Sequence, residues 1–185
     1  CMLTLILAES SIERMPPQLA KHPSVVAHAR RKRKEPSSLI LDRSYHHSAM
    51  RTLERQHLSQ GLTKRGRPDI AFHFLLQALG SPLNREGLLR TYIHTLEDNV
   101  IDIDSHLRPP RNYDRFIGIL EQLYKHNSVP SGDHPLLRLR KCTLQRLVEE
   151  SRPSVTVAFS TVGNLATMKD TCSQIVGVDV PVVLI

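Results

Sequence analysis

The stretch RPPRNYDRF, residues 108–116, places Arg108, Arg111 and Arg115 within eight positions. Guanidinium groups bind phosphate through paired hydrogen bonds, and they suit this task better than lysine ammonium groups. We predict a helix that begins near Pro110, with Arg111 and Arg115 one turn apart at an N-terminus whose free amides attract anions. The prolines hold Arg108 extended, so that it can approach the same spot. The alternative is an ordinary solvated helix end.

A second basic cluster, KRGRPDI, spans residues 64–70. Gly66 permits backbone conformations that other residues avoid. Asp69 stands two residues after Arg67, and its carboxylate could accept from that guanidinium and fix the direction of the side chain. Alternatively, Asp69 caps the helix that it begins, which is a common role for aspartate. The two roles are compatible, and both stay open.

A third basic feature is the run RRKRKEPSS, which begins with five consecutive cations from Arg30 to Lys34. This run is either a solvated loop or helix end, or a track for a phosphate backbone, and the sequence favours neither. Lys plus Arg number 25 against 18 Asp plus Glu, giving a net charge of +7 and a pI of about 9.7. Such a balance favours a polyanionic partner, usually nucleic acid or an anionic membrane surface.

The cysteines and histidines indicate neither a disulfide framework nor a metal site. Three cysteines (Cys1, Cys142 and Cys172) are widely separated, so an intracellular, reducing compartment is expected. Ten histidines include no HExxH motif and no paired Cys/His spacing. His73, inside an apolar helix, is expected to be a core residue. No apolar run is long enough to span a bilayer, and no signal-peptide pattern opens the chain.

Apolar periodicity predicts alternating strands and helices. Strands are expected at MLTLILAES, at LILD (39–42), in a hairpin of LLRTYIHT and NVIDID, and at SVTVAFS and VPVVLI. Helices are expected over residues 17–31 and 44–58, from Pro68 to Gly80, from Pro110 to Lys125, and through KCTLQRLVEE and NLATMKDTCSQ. The helix after Pro68 is apolar at nearly every position, so it should be buried almost all round.

The final strand–helix–strand alternation is typical of a parallel sheet. We therefore expect one α/β domain over residues 1–185, with a parallel sheet core. A β-hairpin-plus-helix elaboration is expected around residues 83–128, on or beside the arginine face.

Several separated motifs resemble one family. RGRPDI is followed by an apolar helix with SPLN, by YIHT and by RPPRNYDRFIG, and LILAES and LDRSYHHSAM also fit. Together they resemble the pseudouridine-N1-specific methyltransferases of small ribosomal subunit biogenesis, in the SPOUT (α/β-knot) superfamily. The resemblance runs from residue 3 to the end of the sequence.

The resemblance implies homodimers that bind S-adenosylmethionine in a trefoil-knotted C-terminal region and methylate N1 of a pseudouridine in a small-subunit rRNA loop. It implies a cytoplasmic protein, nucleolar in a eukaryote, with small-subunit rRNA and ribosomal proteins as partners and no membrane. No general base can be identified, and a salt-bridged Asp69 suits that role poorly. The residues implied to contact rRNA are Arg67, aimed by Asp69, with Arg108, Arg111 and Arg115.

In the family, a glycine-rich turn and a knot-closing segment follow the strand that corresponds to VPVVLI. We therefore expect the knot-closing segment and most of the cofactor site to lie beyond Ile185. Four residues are candidates to border the pocket, and each could equally be an ordinary strand residue: Ser160, Thr161, Leu184 and Ile185. The rival hypothesis is an RNA-binding ribosome assembly factor without catalysis.

Overall fold

The computed structural model describes residues 2–55, 65–160, 162–175 and 182–184. Within them a single sheet has the strand order β4-β5-β3-β2-β1-β7-β6. Strands β2, β1, β7 and β6 are mutually parallel, and β3, β5 and β4 extend the β2 side in antiparallel pairs. The predicted α/β class with a parallel core is confirmed. The strands are β1 (Leu3–Ser10), β2 (Leu89–Thr95), β3 (Asn99–Ile103), β4 (Ser128–Val129), β5 (Leu137–Lys141), β6 (Val155–Val157) and β7 (Val182–Leu184).

The helices flank this sheet, and those within the described ranges include none that is both long and apolar enough to cross a membrane. Pro23 divides the predicted 17–31 helix in two, because it holds His22 in an extended conformation at the start of α2. A short 3₁₀ turn covers Pro36–Ser38. The helices are α1 (Pro17–Ala20), α2 (Pro23–Lys32), α3 (Arg43–Arg55), α4 (Pro68–Gly80), α5 (Pro82–Arg85), α6 (Tyr113–His126), α7 (Leu144–Ser151) and α8 (Met168–Ile175).

The predicted hairpin is present as β2 and β3, and it is part of the central sheet. Ile93 pairs with Ile101 across the hairpin, and β2 also runs parallel to β1, with Leu5 opposite Thr91. Asp98, in the turn, has φ +53. The region around residues 83–128 therefore adds strands directly beside β1 and places α6 against the same sheet.

The main core lies between the sheet and helices α4 and α6. Phe72 of α4 meets Phe116 of α6 at 5.3 Å between ring centroids, over Ile93 and Ile101. Each such side chain contributes roughly 1.5–3 kcal/mol on burial. A separate cluster, which includes Val100 of β3 and Leu147 of α7, packs on Ile6. A third cluster joins α2, α3 and the segment before α3.

One predicted strand is wrong, and one strand was not predicted. Leu39 to Leu41 are buried but form no strand, because the 3₁₀ turn ends at Ser38 and α3 begins at Arg43, leaving room only for an isolated bridge between Arg14 and Ile40. The sequence LRLRK, just before the helix predicted through KCTLQRLVEE, was assigned to no element and is strand β5, which pairs with β3. Helix α7 accordingly starts at Leu144, after its N-cap Thr143.

Helix α4 begins and ends where predicted, at Pro68 and Gly80, but it is not buried all round. Ile70 is 46% exposed and His73 is also exposed, because the sheet and α6 cover one side of the helix only. The prediction that His73 is a core residue is therefore wrong.

Candidate nucleic-acid interface

The loop before α4 is fixed on both sides of Gly66. Arg65 donates from Nε to the buried Glu13 carboxylate at 2.8 Å. Gly66 has φ +68, and its carbonyl accepts from the Arg43 N–H at 2.8 Å. A Cβ at this position would lie 3.2 Å from the Arg43 nitrogen, so both the backbone conformation and the close approach require glycine. The loop therefore presents Arg67 from a fixed backbone.

Arg67 and Asp69 form the pair that their spacing suggested. Arg67 donates from Nε and from a terminal nitrogen to the two Asp69 oxygens, at 2.9 and 2.8 Å. The Arg67 guanidinium holds the pKa of the Asp69 carboxyl below its ordinary value, so Asp69 is a carboxylate at neutral pH. Arg67 itself is the N-cap residue, and no side chain caps the helix there. Asp69 lies in the first turn, where its charge favours the helix dipole.

The arginines of the opening motif are exposed, but helix α6 starts later than predicted. Its N-cap is Asn112, whose side chain accepts from the Arg115 N–H at 3.0 Å. Asparagine caps well, and it stops the helix from extending back to Pro110. Arg111 therefore precedes the N-cap, and the expectation that Arg111 and Arg115 lie one helical turn apart is wrong. The apolar stripe of α6 is confirmed, with Phe116, Leu120 and Leu123 buried.

These three arginines present positive charge at the surface. Across residues 2–55, 65–160, 162–175 and 182–184, no acidic side chain forms an ion pair with Arg108, Arg111 or Arg115. We call these three residues, together with Arg67, the arginine surface. Their contact with RNA stays a prediction.

The basic run at the end of α2 lies against α6. Lys32 contacts Asp114 at 3.0 Å, and Lys34 pairs with the buried carboxylate of Glu121. Both pairs neutralise acidic groups of the helix that carries Arg115. The run is therefore a helix end in which two lysines have structural partners.

Behind the arginine surface lies a buried polar chain that sequence reasoning missed. Tyr113 donates to Asp42 at 2.5 Å, and the second Asp42 oxygen accepts from the Ser44 N–H at the start of α3. The Asp42 N–H donates to His46 Nδ1, which places the proton on Nε2, 2.8 Å from His28 Nδ1. Burial lowers the pKa of His46 to about 4, and burial together with the Asp42 contact raises that of Tyr113.

This chain couples three helices, since Tyr113 opens α6, His46 belongs to α3 and His28 to α2. The sequence LDRSYHH carries a recognisable signal for its first part, an aspartate that caps a helix and a histidine four residues later. The partner on α6 stands 71 residues away, which no local pattern reveals.

A cavity of about 330 Å³ lies at the carboxyl end of β1. Glu9 has φ +49 there, and the buried Ser10 hydroxyl has no hydrogen-bond partner among the residues that the structure describes. The carboxyl ends of parallel strands are where open α/β sheets bind ligands. The sequence analysis did not select Glu9 and Ser10 as site residues. Their signal in the sequence is the polar run ESS at the end of an apolar strand. The lining residues are Leu7, Ala8, Glu9, Ser10, Ser11, Arg67 and Ile70.

The candidate cofactor residues follow the neighbouring strands. Leu184 ends β7 opposite Leu5 of β1, and Ser160 is exposed beyond the end of β6. The other two candidates, Thr161 and Ile185, lie outside the described residues. Phe159, the preceding residue, is 53% exposed. The described ranges contain no group of three His, Cys, Asp or Glu side chains that could hold a metal ion.

The fold and the cavity at the carboxyl edge of the parallel strands place the chain among SPOUT-type α/β proteins. Residues 5–183 match the EMG1/NEP1 methyltransferase family, and the chain belongs to that family. The pseudouridine-methyltransferase resemblance is thereby confirmed at the level of the family.

The relatives are named ribosomal RNA small subunit methyltransferase Nep1. The protein from Thermococcus kodakarensis is 44% identical over 164 residues, 89% of this chain and 71% of its own. The protein from Pyrococcus furiosus is 42% identical over 183 residues, 99% of this chain and 79% of its own. The crystal structure of Archaeoglobus fulgidus Nep1 bound to S-adenosylhomocysteine superposes with a TM-score of 0.80 at 32% identity, covering 99% of this chain and 77% of that chain.

Proposed function

We propose that this protein transfers a methyl group from S-adenosylmethionine to N1 of a pseudouridine in small-subunit rRNA. The observation that carries the proposal is the position of Arg67, which belongs to the arginine surface and also lines the cavity at the carboxyl end of β1. A polyanion held by the surface can thus present a base to the cavity. The names of the relatives, and S-adenosylhomocysteine in the Archaeoglobus fulgidus protein, support the choice of reaction.

The reaction needs orientation and charge placement more than reactive side chains. Pseudouridine is joined to ribose through carbon, so its N1 keeps a proton. When that proton passes to solvent, the uracil anion that remains would take the methyl group, and the neutral thioether would leave. S-adenosylmethionine supplies an electrophilic methyl group when bound. Arg67, held by Asp69, is placed to stabilise the negative charge that develops on the ring, and such preorganised charge is a large source of rate.

The other three residues of the arginine surface would bind the phosphates of the RNA; they are Arg108, Arg111 and Arg115. They are exposed and unpaired within the described ranges, and Arg115 is anchored on a rigid helix. Phosphate contacts position a nucleic acid without reading its sequence, which suits these side chains. The target base belongs to a loop or bulge, because A-form helices hide base edges in a deep groove.

The proposal includes a homodimer, ribosomal proteins as further partners and an intracellular location, cytoplasmic or, in a eukaryote, nucleolar. Apolar side chains that follow β6 support the dimer, since Phe159, Val162 and Leu165 are 53%, 92% and 105% exposed. Large exposed apolar patches mark surfaces that a partner covers. Sedimentation of the intact protein tests this part, and a monomer at all concentrations would contradict it.

Methyl transfer to matched RNAs tests the activity. Three stem–loops that differ at one loop position, with pseudouridine, uridine or 1-methylpseudouridine, are incubated with the intact protein and S-adenosylmethionine labelled in the methyl group. We expect label in the pseudouridine RNA alone. Equal labelling of the uridine RNA would contradict N1 specificity. Tight binding of all three RNAs with no label would favour the rival function, a non-catalytic assembly factor.

A further inference from the structure

We infer that Glu9 is the residue that distinguishes pseudouridine from uridine on binding, by accepting a hydrogen bond from the N1–H of the target base before that proton is lost and the methyl group takes its place. This inference rests on the proposed function. It identifies a recognition residue at the end of β1, in a cavity that also contains Arg67.

The backbone at Glu9 has a conformation that is costly for glutamate. Its φ of +49 is unusual for a residue with a long side chain, and it coincides with a shift in the register between β1 and β2 after Leu7. Glycine or asparagine would adopt this conformation with less strain. Residues held in sparsely populated conformations cluster at sites that bind or react. The strain therefore points to a use for the carboxylate.

The conformation of Glu9 is held from the neighbouring strand. Its N–H donates to His94 Nδ1 at 3.3 Å, and His94 Nε2 in turn contacts Asp98 at 3.2 Å. His94 is buried, whereas Glu9 is exposed and lines the cavity. The sheet thus fixes the backbone of Glu9 while its side chain stays available to a ligand.

The cavity around Glu9 has the composition of a site for a flat polar ring. Its volume of about 330 Å³ lies at the low end of the range for small-molecule sites. Leu7, Ala8 and Ile70 supply apolar surface. The buried Ser10 hydroxyl has no partner in the described part of the chain, although buried polar groups are normally satisfied. A uracil ring brings both carbonyl acceptors and N–H donors to such a lining.

The chemistry of the two bases makes a carboxylate the discriminating group. Pseudouridine carries an N1–H donor where uridine carries C5–H, and the rest of the ring edge is the same. A carboxylate accepts without donating, and its hydrogen bonds are stronger than those of neutral acceptors. Within the described residues, Glu9 is the acidic side chain among those that line this cavity. A uridine in the same place would leave the Glu9 carboxylate unpaired.

Binding without cofactor tests this inference. The intact protein is titrated with the pseudouridine, uridine and 1-methylpseudouridine stem–loops, beside the variants Glu9→Asn and Glu9→Gln. The parent should prefer the pseudouridine RNA over both others by about tenfold or more, the ratio that a hydrogen bond to a charged group gives. In Glu9→Asn this preference should be lost, because the side chain is one methylene shorter and uncharged. Glu9→Gln should keep part of the preference, because a neutral acceptor remains at the same side-chain length.

Two further measurements complete the test: the melting temperature of the Glu9 variant, and RNA binding by a control variant with a charge removed elsewhere. The melting temperature of Glu9→Asn should equal or exceed that of the parent, since asparagine tolerates positive φ. The control Glu86→Gln removes an exposed acidic charge outside the cavity and should keep the full preference. A parent without preference, or a Glu9→Asn variant with unchanged preference, would overturn the inference. Methyl transfer to the pseudouridine RNA by that same protein would show that the proposed function still holds.

Discussion

At the scale of single residues, Asp69 places a negative charge among the arginines that we expect to bind RNA. Its carboxylate is bound to Arg67 through two hydrogen bonds, with side-chain exposures of 37% and 46%. Pairs as exposed as this contribute roughly 0–1 kcal/mol to stability. The pair is therefore better explained by the direction that it gives to the guanidinium than by the stability of the fold.

We predict that Asp69→Asn weakens binding of the loop RNA while leaving its dependence on salt nearly unchanged. The number of positive charges is the same in the variant, but Arg67 is no longer held. Titration at several salt concentrations, with folding confirmed by circular dichroism, measures both quantities. Asp114→Asn is the matched control, because Asp114 is exposed on the same side and contacts Lys32 instead of an arginine. It should bind RNA equally or more tightly. Tighter binding by both variants would contradict the aiming role of Asp69.

At the scale of elements, the end of α2 is held to α6 by two equally exposed lysines whose acidic partners differ in burial. Lys34 pairs with the buried Glu121, whereas Lys32 pairs with the exposed Asp114. Removing one partner of a buried pair leaves an uncompensated charge, while an exposed pair contributes little. Lys34→Ala should therefore cost about 1–3 kcal/mol of unfolding free energy, and Lys32→Ala about 0–1 kcal/mol. Denaturant titration measures both free energies, and equal costs would contradict a larger role for the pair with the buried Glu121.

The buried contact between His28 of α2 and His46 of α3 predicts that the free energy of unfolding depends on pH. Burial keeps the folded pKa of His46 near 4, below the ordinary value of 6.5, so the unfolded chain binds the proton first as the pH falls. The stability that comes from keeping His46 neutral is fully present above about pH 6.5. It falls by about 3 kcal/mol between that pH and pH 4. His46→Gln should lack this loss, and His126→Gln, at an exposed position, should retain it. Unfolding free energies from pH 7 to 4 test the sign, and a flat parent curve would contradict it.

The elements that the sequence predicted are those with local signals. Pro68 and Gly80 delimit α4, and the apolar stripe of α6 follows helical spacing. Strand β5 was missed, because its identity depends on pairing with β3, about 38 residues earlier. The Arg67–Asp69 pair is local and was predicted, whereas Glu9 was not. The positive φ of Glu9 results from contacts with β2, which the linear pattern does not contain.

At the scale of the whole molecule, the net charge of +7 predicts how RNA affinity responds to salt, together with the arginines that have no ion pair among the described residues. Each phosphate contact that is lost should reduce the slope of log affinity against log salt by about 0.7–0.9. Arg111→Ala and Arg115→Ala should each show that reduction and bind more weakly. Arg146→Ala is the control, since Arg146 pairs with Glu150 on α7, away from the core that α4 and α6 cover. A slope that changes as much in the control would contradict a localised RNA surface.

The central claim is that the arginine surface delivers a pseudouridine to the carboxyl edge of the sheet for methylation at N1. Mass spectrometry of nucleosides, after reaction of the pseudouridine stem–loop with the intact protein and S-adenosylmethionine, tests it most directly. We predict 1-methylpseudouridine as the product with the parent. We predict little product with a variant in which Arg67, Arg111 and Arg115 are all alanine. A methyl group on another ring position or on ribose, or full activity of the triple variant, would contradict the account.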